Sequence, residues 1–133
     1  MDTLLKERRK AQRIPMNKHV KYRVLRRNGE EVDQEQYTRA LGHDICEFGI
    51  GITAYEKFNP GDIVRVDFVL EEREIHAICE VAWCGRIFLG DDMYQYSAGM
   101  EFACTTEDER LFLKEFFSRQ FESIWNYLLN PEK

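Results

Sequence analysis

Along the first third of the chain, apolar and polar positions alternate. Val20, Tyr22 and Val24 interleave with His19, Lys21 and Arg23, a period of two that predicts a β-strand. An acid-rich loop opened by Asn28-Gly29 follows, then a weaker strand candidate over Tyr37–Ile45 and a β-branched one over Phe48–Tyr55, interrupted by Gly49 and Gly51. Asn59-Pro60-Gly61-Asp62 is a turn signal. After it, Val64, Val66, Phe68 and Leu70 alternate with Ile63, Arg65, Asp67 and Val69. Glu71-Glu72-Arg73 reverses the chain. Ile75, Ala77, Cys79, Val81 and Trp83 then read as the inward set of a long strand, and Tyr96, Ala98, Met100 and Phe102 as that of the last. About six strands at this short spacing predict a small antiparallel barrel or sandwich.

The period then changes. Thr106 followed by Glu109 has the form of a capping box, and Leu113, Phe117, Phe121, Ile124 and Leu128 follow at helical spacing, widened by Phe112, Phe116 and Trp125. Asn130-Pro131 stops the helix. From Thr106 to Asn130 it is roughly 36 Å long, more than one small barrel needs as a lid. Its stripe either covers the open end of the barrel or, through the excess length, serves self-association or a partner groove.

Charge changes the picture. The chain of 133 residues has a formal net charge of −5, yet residues 1–27 hold ten Lys/Arg against two acids. The remainder, with nine Lys/Arg and twenty-two acids, is strongly acidic. Residues 1–18 therefore read as a basic arm, 19–104 as a barrel and 105–130 as the helix, in a single domain. A basic arm commonly meets phosphates. Nucleic acid polymers are disfavoured as partners, because their affinity comes from a broad cationic surface. No apolar run is long enough to cross a membrane, and the expected location is the cytoplasm.

Several signatures of chemistry fail on context. Gly49-Ile50-Gly51-Ile52-Thr53-Ala54 fits the dinucleotide fingerprint in letters, but Pro60 and Gly61 arrive where the phosphate-binding helix would have to be. His43…Cys46 and His76…Cys79 are tempting zinc pairs, yet a spacing of three within a strand sends the two side chains to opposite faces. Neither pair is expected to hold a metal. Ser97, Ser118 and Ser123 are the only serines, and none sits on a turn with a histidine nearby in sequence. No motif points to an enzyme, and no cofactor is implied.

One constellation stands out. Arg9 and Arg13, four residues apart and flanked by Arg8 and Lys10, can face one ligand from a strand or from a helix. A guanidinium fork fits phosphate oxygens and the O6/N7 edge of guanine. Asp44, then Cys46, then Gly49 supply a carboxylate for guanine donors, a small polar atom and a position where backbone approaches closely. Arg9-x-x-x-Arg13 followed by Asp44-x-Cys46-x-x-Gly49 resembles the paired signature of PilZ domains, R-x-x-x-R and [DN]-x-S-x-x-G. The segments around Asn59–Leu70, Ile78–Arg86 and Tyr96–Phe102 resemble that family's later strands. The resemblance covers roughly residues 7–117.

It implies a six-stranded antiparallel β-barrel with a long C-terminal helix, and a bacterial receptor for cyclic di-GMP that works in signal transduction. Arg9 and Arg13 would contact guanine edges and phosphates, Arg8 and Lys10 would add phosphate attraction, Asp44 would accept from a guanine edge, and Gly49 would give backbone access. Trp83 is a candidate to stack on a base, although its place in the strand favours core packing. The arm would fold over the ligand and the change would pass to a protein partner. The departure is Cys46 at the family's serine position; a thiol is the weaker hydrogen-bonding group, so a weakened site is expected. The alternative is a PilZ-like interaction module that no longer binds the nucleotide and works through its helix.

Overall fold

In the computed structural model, residues 13–129 are described, apart from the side chains at 121, 123–125 and 127. The arm residues Arg8, Arg9 and Lys10, and the helix side chains of Phe121, Ile124 and Trp125, lie outside that description.

Among the described residues, seven strands are followed by one helix: β1 (Ile14–Arg27), β2 (Glu30–Glu31), β3 (Thr38–Cys46), β4 (Gly49–Ala54), β5 (Ile63–Leu70), β6 (Arg73–Gly90), β7 (Met93–Cys104) and α1 (Glu107–Leu129). β1 starts at Ile14, so the strand extends five residues back from His19 into the segment read as arm. All the strand pairings are antiparallel. The order β1-β3-β4-β7-β6-β5 returns to β1 through a β1–β5 ladder, so the sheet closes on itself as a ring, with the short β2 hairpinned onto the end of β1.

The alternation seen in the sequence is the inside and outside of this ring. Val20, Tyr22 and Val24 of β1, Val64, Val66, Phe68 and Leu70 of β5, and Ile75, Ala77, Cys79 and Val81 of β6 are all buried in one core with Ile45, Ile50, Ile52, Ala98 and Met100. Three tight turns put paired residues in the left-handed region: Asn28 and Gly29 at β1–β2, Glu71 and Glu72 at β5–β6, and Asp91 and Asp92 at β6–β7. Such turns match the twist of antiparallel hairpins. Only the first carries the Asn-Gly signal.

Trp83 departs from its expected place. It is 51% exposed, on the outer surface. The β6–β7 register shifts between Val81, opposite Met100, and Trp83, opposite Gly99. This bulge at Ala82 adds one residue to β6 and turns Trp83 and the side chains after it, as far as the next shift between Phe88 and Gly90, to the other face.

Of the two His–Cys pairs, His76 is exposed and Cys79 buried in the core, as strand alternation requires. His43 is half-buried on the outside, and the register irregularity between Gly42 and Asp44 leaves Cys46, although buried, outside the core cluster on the same face as Asp44. Burial pushes the Cys79 thiol up to about 12.

α1 closes the end of the ring where β3, β5 and β7 finish, burying Leu113, Phe116 and Phe117. Its start is fixed by the capping box. Glu109 N donates to Thr106 Oγ1 at 3.1 Å, and Thr106 N donates to Glu109 Oε1 at 3.1 Å. The other carboxylate oxygen of Glu109 accepts from the backbone N of His76 in β6 at 2.6 Å, tying the helix to the sheet. Burial works against a charged Glu109, but the bonds from His76 and Thr106 outweigh it and hold its pKa below the usual range. A depressed carboxylate contributes stability that is present above its unfolded value, about 4.3, and is lost as pH falls through the folded value. Replacing Glu109 with Ala should cost about 2–4 kcal/mol, since a cap is lost together with the partner of the half-buried His76 N–H. Urea melts of the variant should also lose part of the decline in stability that the parent shows below about pH 4.5; identical acid profiles would refute the role.

Candidate functional site

β1 and β3 run side by side with Ile14 opposite Ile45 and Pro15 opposite Asp44, so the residue just before β1 lands beside the end of β3. That residue is Arg13. Its Nη2 donates to Asp44 Oδ1 at 2.8 Å and its Nη1 reaches Cys46 Sγ at 3.6 Å. Residues more than thirty apart in sequence thus meet on one patch. The hydrogen bond to Asp44 raises the Arg13 pKa further above its ordinary value. Asp44 is pulled the other way: its partial burial opposes ionisation, yet Arg13 and then His43 prevail and keep it below the usual carboxylate range. Both groups are charged at neutral pH, and both remain partly open to solvent.

The alternation of β3 did not mark out His43 as part of this patch. A register irregularity between Gly42 and Asp44 lets it share the outer surface with its neighbour. His43 Nδ1 lies 3.4 Å from Asp44 Oδ2, and its Nε2 lies 3.2 Å from Ser97 Oγ of β7. The ring therefore bridges β3 and β7 across β4. It can do so because β4 offers Gly51 beneath it, where a Cβ would meet the carboxylate of Asp44 and the imidazole of His43 at 2.5 Å.

The row continues. Asp44 pairs with Gly51, Gly51 with Gly99, and Gly99 with Trp83. The indole lies directly over Gly99, in the space a side chain would fill. Across β3, β4, β7 and β6 there is thus a strip whose two buried glycines are covered by side chains, Gly51 by Asp44 and His43 and Gly99 by the Trp83 indole. Asp44 and His43, with Arg13 beside them, belong to one side and Trp83 to the other; the strands β3 and β6 are three spacings or about 14 Å apart, and the side chains lean inward over β4 and β7. The register bulge that took Trp83 out of the core put it on the same face as Asp44. The sequence signal for the strip was available in Gly51 and Gly99, but only the register shows that they are neighbours.

Gly49 is placed differently. It is buried, and a Cβ there would press on the carbonyl of Met100 in β7, so its lack of a side chain serves the close approach of two strands. Arg8, Arg9 and Lys10 precede the described residues. Among the described residues no cluster of three or more His, Cys, Asp or Glu side chains could hold a metal ion. No described helix is long and apolar enough to cross a membrane.

A family model described as PilZ domain matches residues 7–118, and the chain belongs to the PilZ domain family. A search of curated proteins finds no match. Among solved structures, the chain is similar in fold to the Bacillus subtilis inhibitor of motility MotI/DgrA, with 17% identity and a TM-score of 0.57 over 86% of this chain and 52% of that one. It is similar to K. pneumonia MrkH in its apo state, with 14% identity and a TM-score of 0.55 over 86% of this chain and 52% of that one. The PilZ domain of Escherichia coli YcgR, solved with c-di-GMP, matches at 13% identity and a TM-score of 0.52 over 87% of this chain and 94% of that domain. The chain spans about half the length of MotI and MrkH.

Proposed function

We propose that the chain is a cyclic di-GMP receptor whose binding face is the outer strip of β3, β4, β7 and β6. The observation that carries this reading is the meeting of Arg13 with Asp44 and Cys46. It unites the second arginine of one motif with the carboxylate and the serine-equivalent of the other. Each Nη of Arg13 carries two protons, so the fork can keep Asp44 and still donate to a phosphate or to guanine O6/N7. Asp44, ionised at neutral pH, can accept from guanine N1–H and N2–H₂. Arg9, with Arg8 and Lys10, would close over the ligand from the arm, and Trp83 offers an exposed ring for stacking at the far side of the strip.

In this reading the closed ring is a barrel that serves as a rigid platform. The arm is the part that rearranges, and the change passes to a protein partner in the cytoplasm of a bacterium. No catalytic step is involved. Self-association through α1 would be a separate property of its far end, where Leu128 and Leu129 are exposed.

Calorimetric titration tests the proposal. Saturable heat is expected with cyclic di-GMP, and much weaker binding with GTP or a linear GMP dinucleotide. No heat at high micromolar ligand would leave the chain as an interaction module of the PilZ fold working through its helix. Two substitutions refine the test. Cys46→Ser should tighten binding by up to about tenfold, because a hydroxyl hydrogen-bonds better than the thiol now facing Arg13. Asp44→Ala should weaken it more than that, leaving guanine donors without an acceptor. Unchanged dissociation constants in both would mean that the ligand binds elsewhere.

A further inference from the structure

The opposite side of the ring carries an arrangement that the nucleotide does not explain. Lys21 of β1 stands directly opposite Arg39 of β3, and Arg23 of β1 directly opposite Arg65 of β5. Two like-charged cross-strand pairs thus sit side by side on one outer face. Like charges in that position destabilise a sheet, and a chain with a net charge of −5 has acids to spare for separating them. Arg65 is partly neutralised by Asp67, with Nε to Oδ1 at 3.1 Å, but Asp67 also serves His76 at 3.1 Å. Asp67 is also the cross-strand neighbour of Lys21 on the β5 side, but among the described residues no carboxylate forms an ion pair with Lys21, Arg23 or Arg39. Arg23 Nε is moreover buried without a hydrogen-bond partner. Just beyond Lys21, where the β1–β5 ladder ends, a cavity of about 330 Å³ opens beside His19, Lys21, Arg39 and Val69, lined also by Asp67, which faces Lys21, and by Glu74.

We propose that this face docks an extended protein segment bearing carboxylates at alternate positions. Lys21 and Arg23 are two residues apart on one face, about 7 Å, which is the repeat of alternate side chains on any extended strand. Arg39 and Arg65 flank them on the two neighbouring strands, so each partner carboxylate meets a pair of cations. The patch is short. At one end Glu30 and Glu31 of β2 pair with β1, and at the other Glu71 and Glu72 turn the chain into β6. A long polyanion or an anionic membrane plane would have to lie on those acids as well. Tyr37 does not offer a free ring for base stacking, because Arg23 and Arg65 already lie 5.5 and 5.7 Å from its centroid. β1 also runs from Arg13, through a bulge between Pro15 and Lys18, to this face, so a change at the nucleotide strip has a covalent route to the docked segment.

The test uses a labelled Glu-Ser-Glu-Ser-Glu-Ser peptide at low salt, with an oligothymidylate and phosphatidylglycerol vesicles alongside. The peptide should bind, and its affinity should fall about tenfold or more in Arg39→Glu and in the milder pair Lys21→Gln with Arg39→Gln. Lys114→Glu, the same charge change on exposed α1, should leave it intact. Arg39→Glu should at the same time raise Tm by about 3 °C, since it converts a like pair into an opposite one, and should leave cyclic di-GMP titrations unaltered. A patch kept for docking and not for the fold predicts that opposition of binding and stability. The proposal is overturned if the peptide does not bind, if the patch variants bind it as the parent does, or if the oligonucleotide or the vesicles bind more tightly through the same residues.

Discussion

Arg13→Ala should weaken cyclic di-GMP binding by about 100-fold while leaving thermal stability within a degree or two. The two halves of that expectation have different causes. In the free protein, the Arg13–Asp44 pair is partly exposed on both sides, and exposed ion pairs contribute about 0–1 kcal/mol. In the complex the same guanidinium would be covered by ligand and would donate to a charged or strongly polar acceptor, where each such bond contributes about 1.5–3 kcal/mol. Asp44 would in addition lose the cation that holds its pKa down and its carboxylate in place. Arg13→Lys retains the charge but not the planar fork, so it should fall between, near tenfold. Hydrogen exchange supplies a second reading. Ligand should protect the backbone across 8–15 and 44–49 and leave the β5 strand unchanged; in Arg13→Ala that protection should be absent at the concentration that saturates the parent. Affinities of Arg13→Ala and parent within about threefold of each other would remove Arg13 from the binding face.

What the sequence revealed depended on how local the cause was. Strand identity was legible where inward residues are apolar at every second position without a break, as over Val20–Val24 of β1, Val64–Leu70 of β5 and Tyr96–Phe102 of β7; the first part of β1 was not, because a bulge lies between Pro15 and Lys18. The start of α1 was legible because a capping box is a contact across three residues. Trp83 was misplaced for the converse reason: the bulge at Ala82 is a mismatch between β6 and β7, two strands whose register no single run of residues encodes. The same holds for His43, whose route to the outer surface depends on an irregularity against β4. Arg13, Asp44 and Cys46 could be grouped only by resemblance to a family signature. Physical reading of the residues gave suitable chemistry for each but no reason for them to touch, because the contact comes from the pairing of β1 with β3. The cationic pairs that β1 makes with its neighbours are not legible as a group in the sequence, since Arg39 and Arg65 belong to other strands and read singly as ordinary outward positions.

Gly49→Ala and Gly51→Ala should separate the fold from the site. Both glycines lie in β4, two residues apart, and both are buried. At Gly49 the added methyl would press on the Met100 carbonyl and on the Cα of Glu101. These are backbone atoms of the paired strand β7, held by the ladder from Gly49–Glu101 to Ala54–Tyr96. They cannot give without breaking the ring. Overpacking of this kind costs about 3 kcal/mol or more, so Tm should drop by about 10 °C whether or not nucleotide is present. At Gly51 the methyl would meet Asp44 Oδ1 and the His43 ring at 2.5 Å, which are the ends of two rotatable side chains on an open surface. They can swing aside at a cost of about 1 kcal/mol, but in doing so Asp44 leaves Arg13 and His43 leaves Ser97. Gly51→Ala should therefore stay folded and lose cyclic di-GMP affinity by at least tenfold, close to the effect of Asp44→Ala. A stable Gly49→Ala would contradict the close approach of β4 to β7. A Gly51→Ala variant that binds like the parent would show that Asp44 need not stand where the strip now holds it.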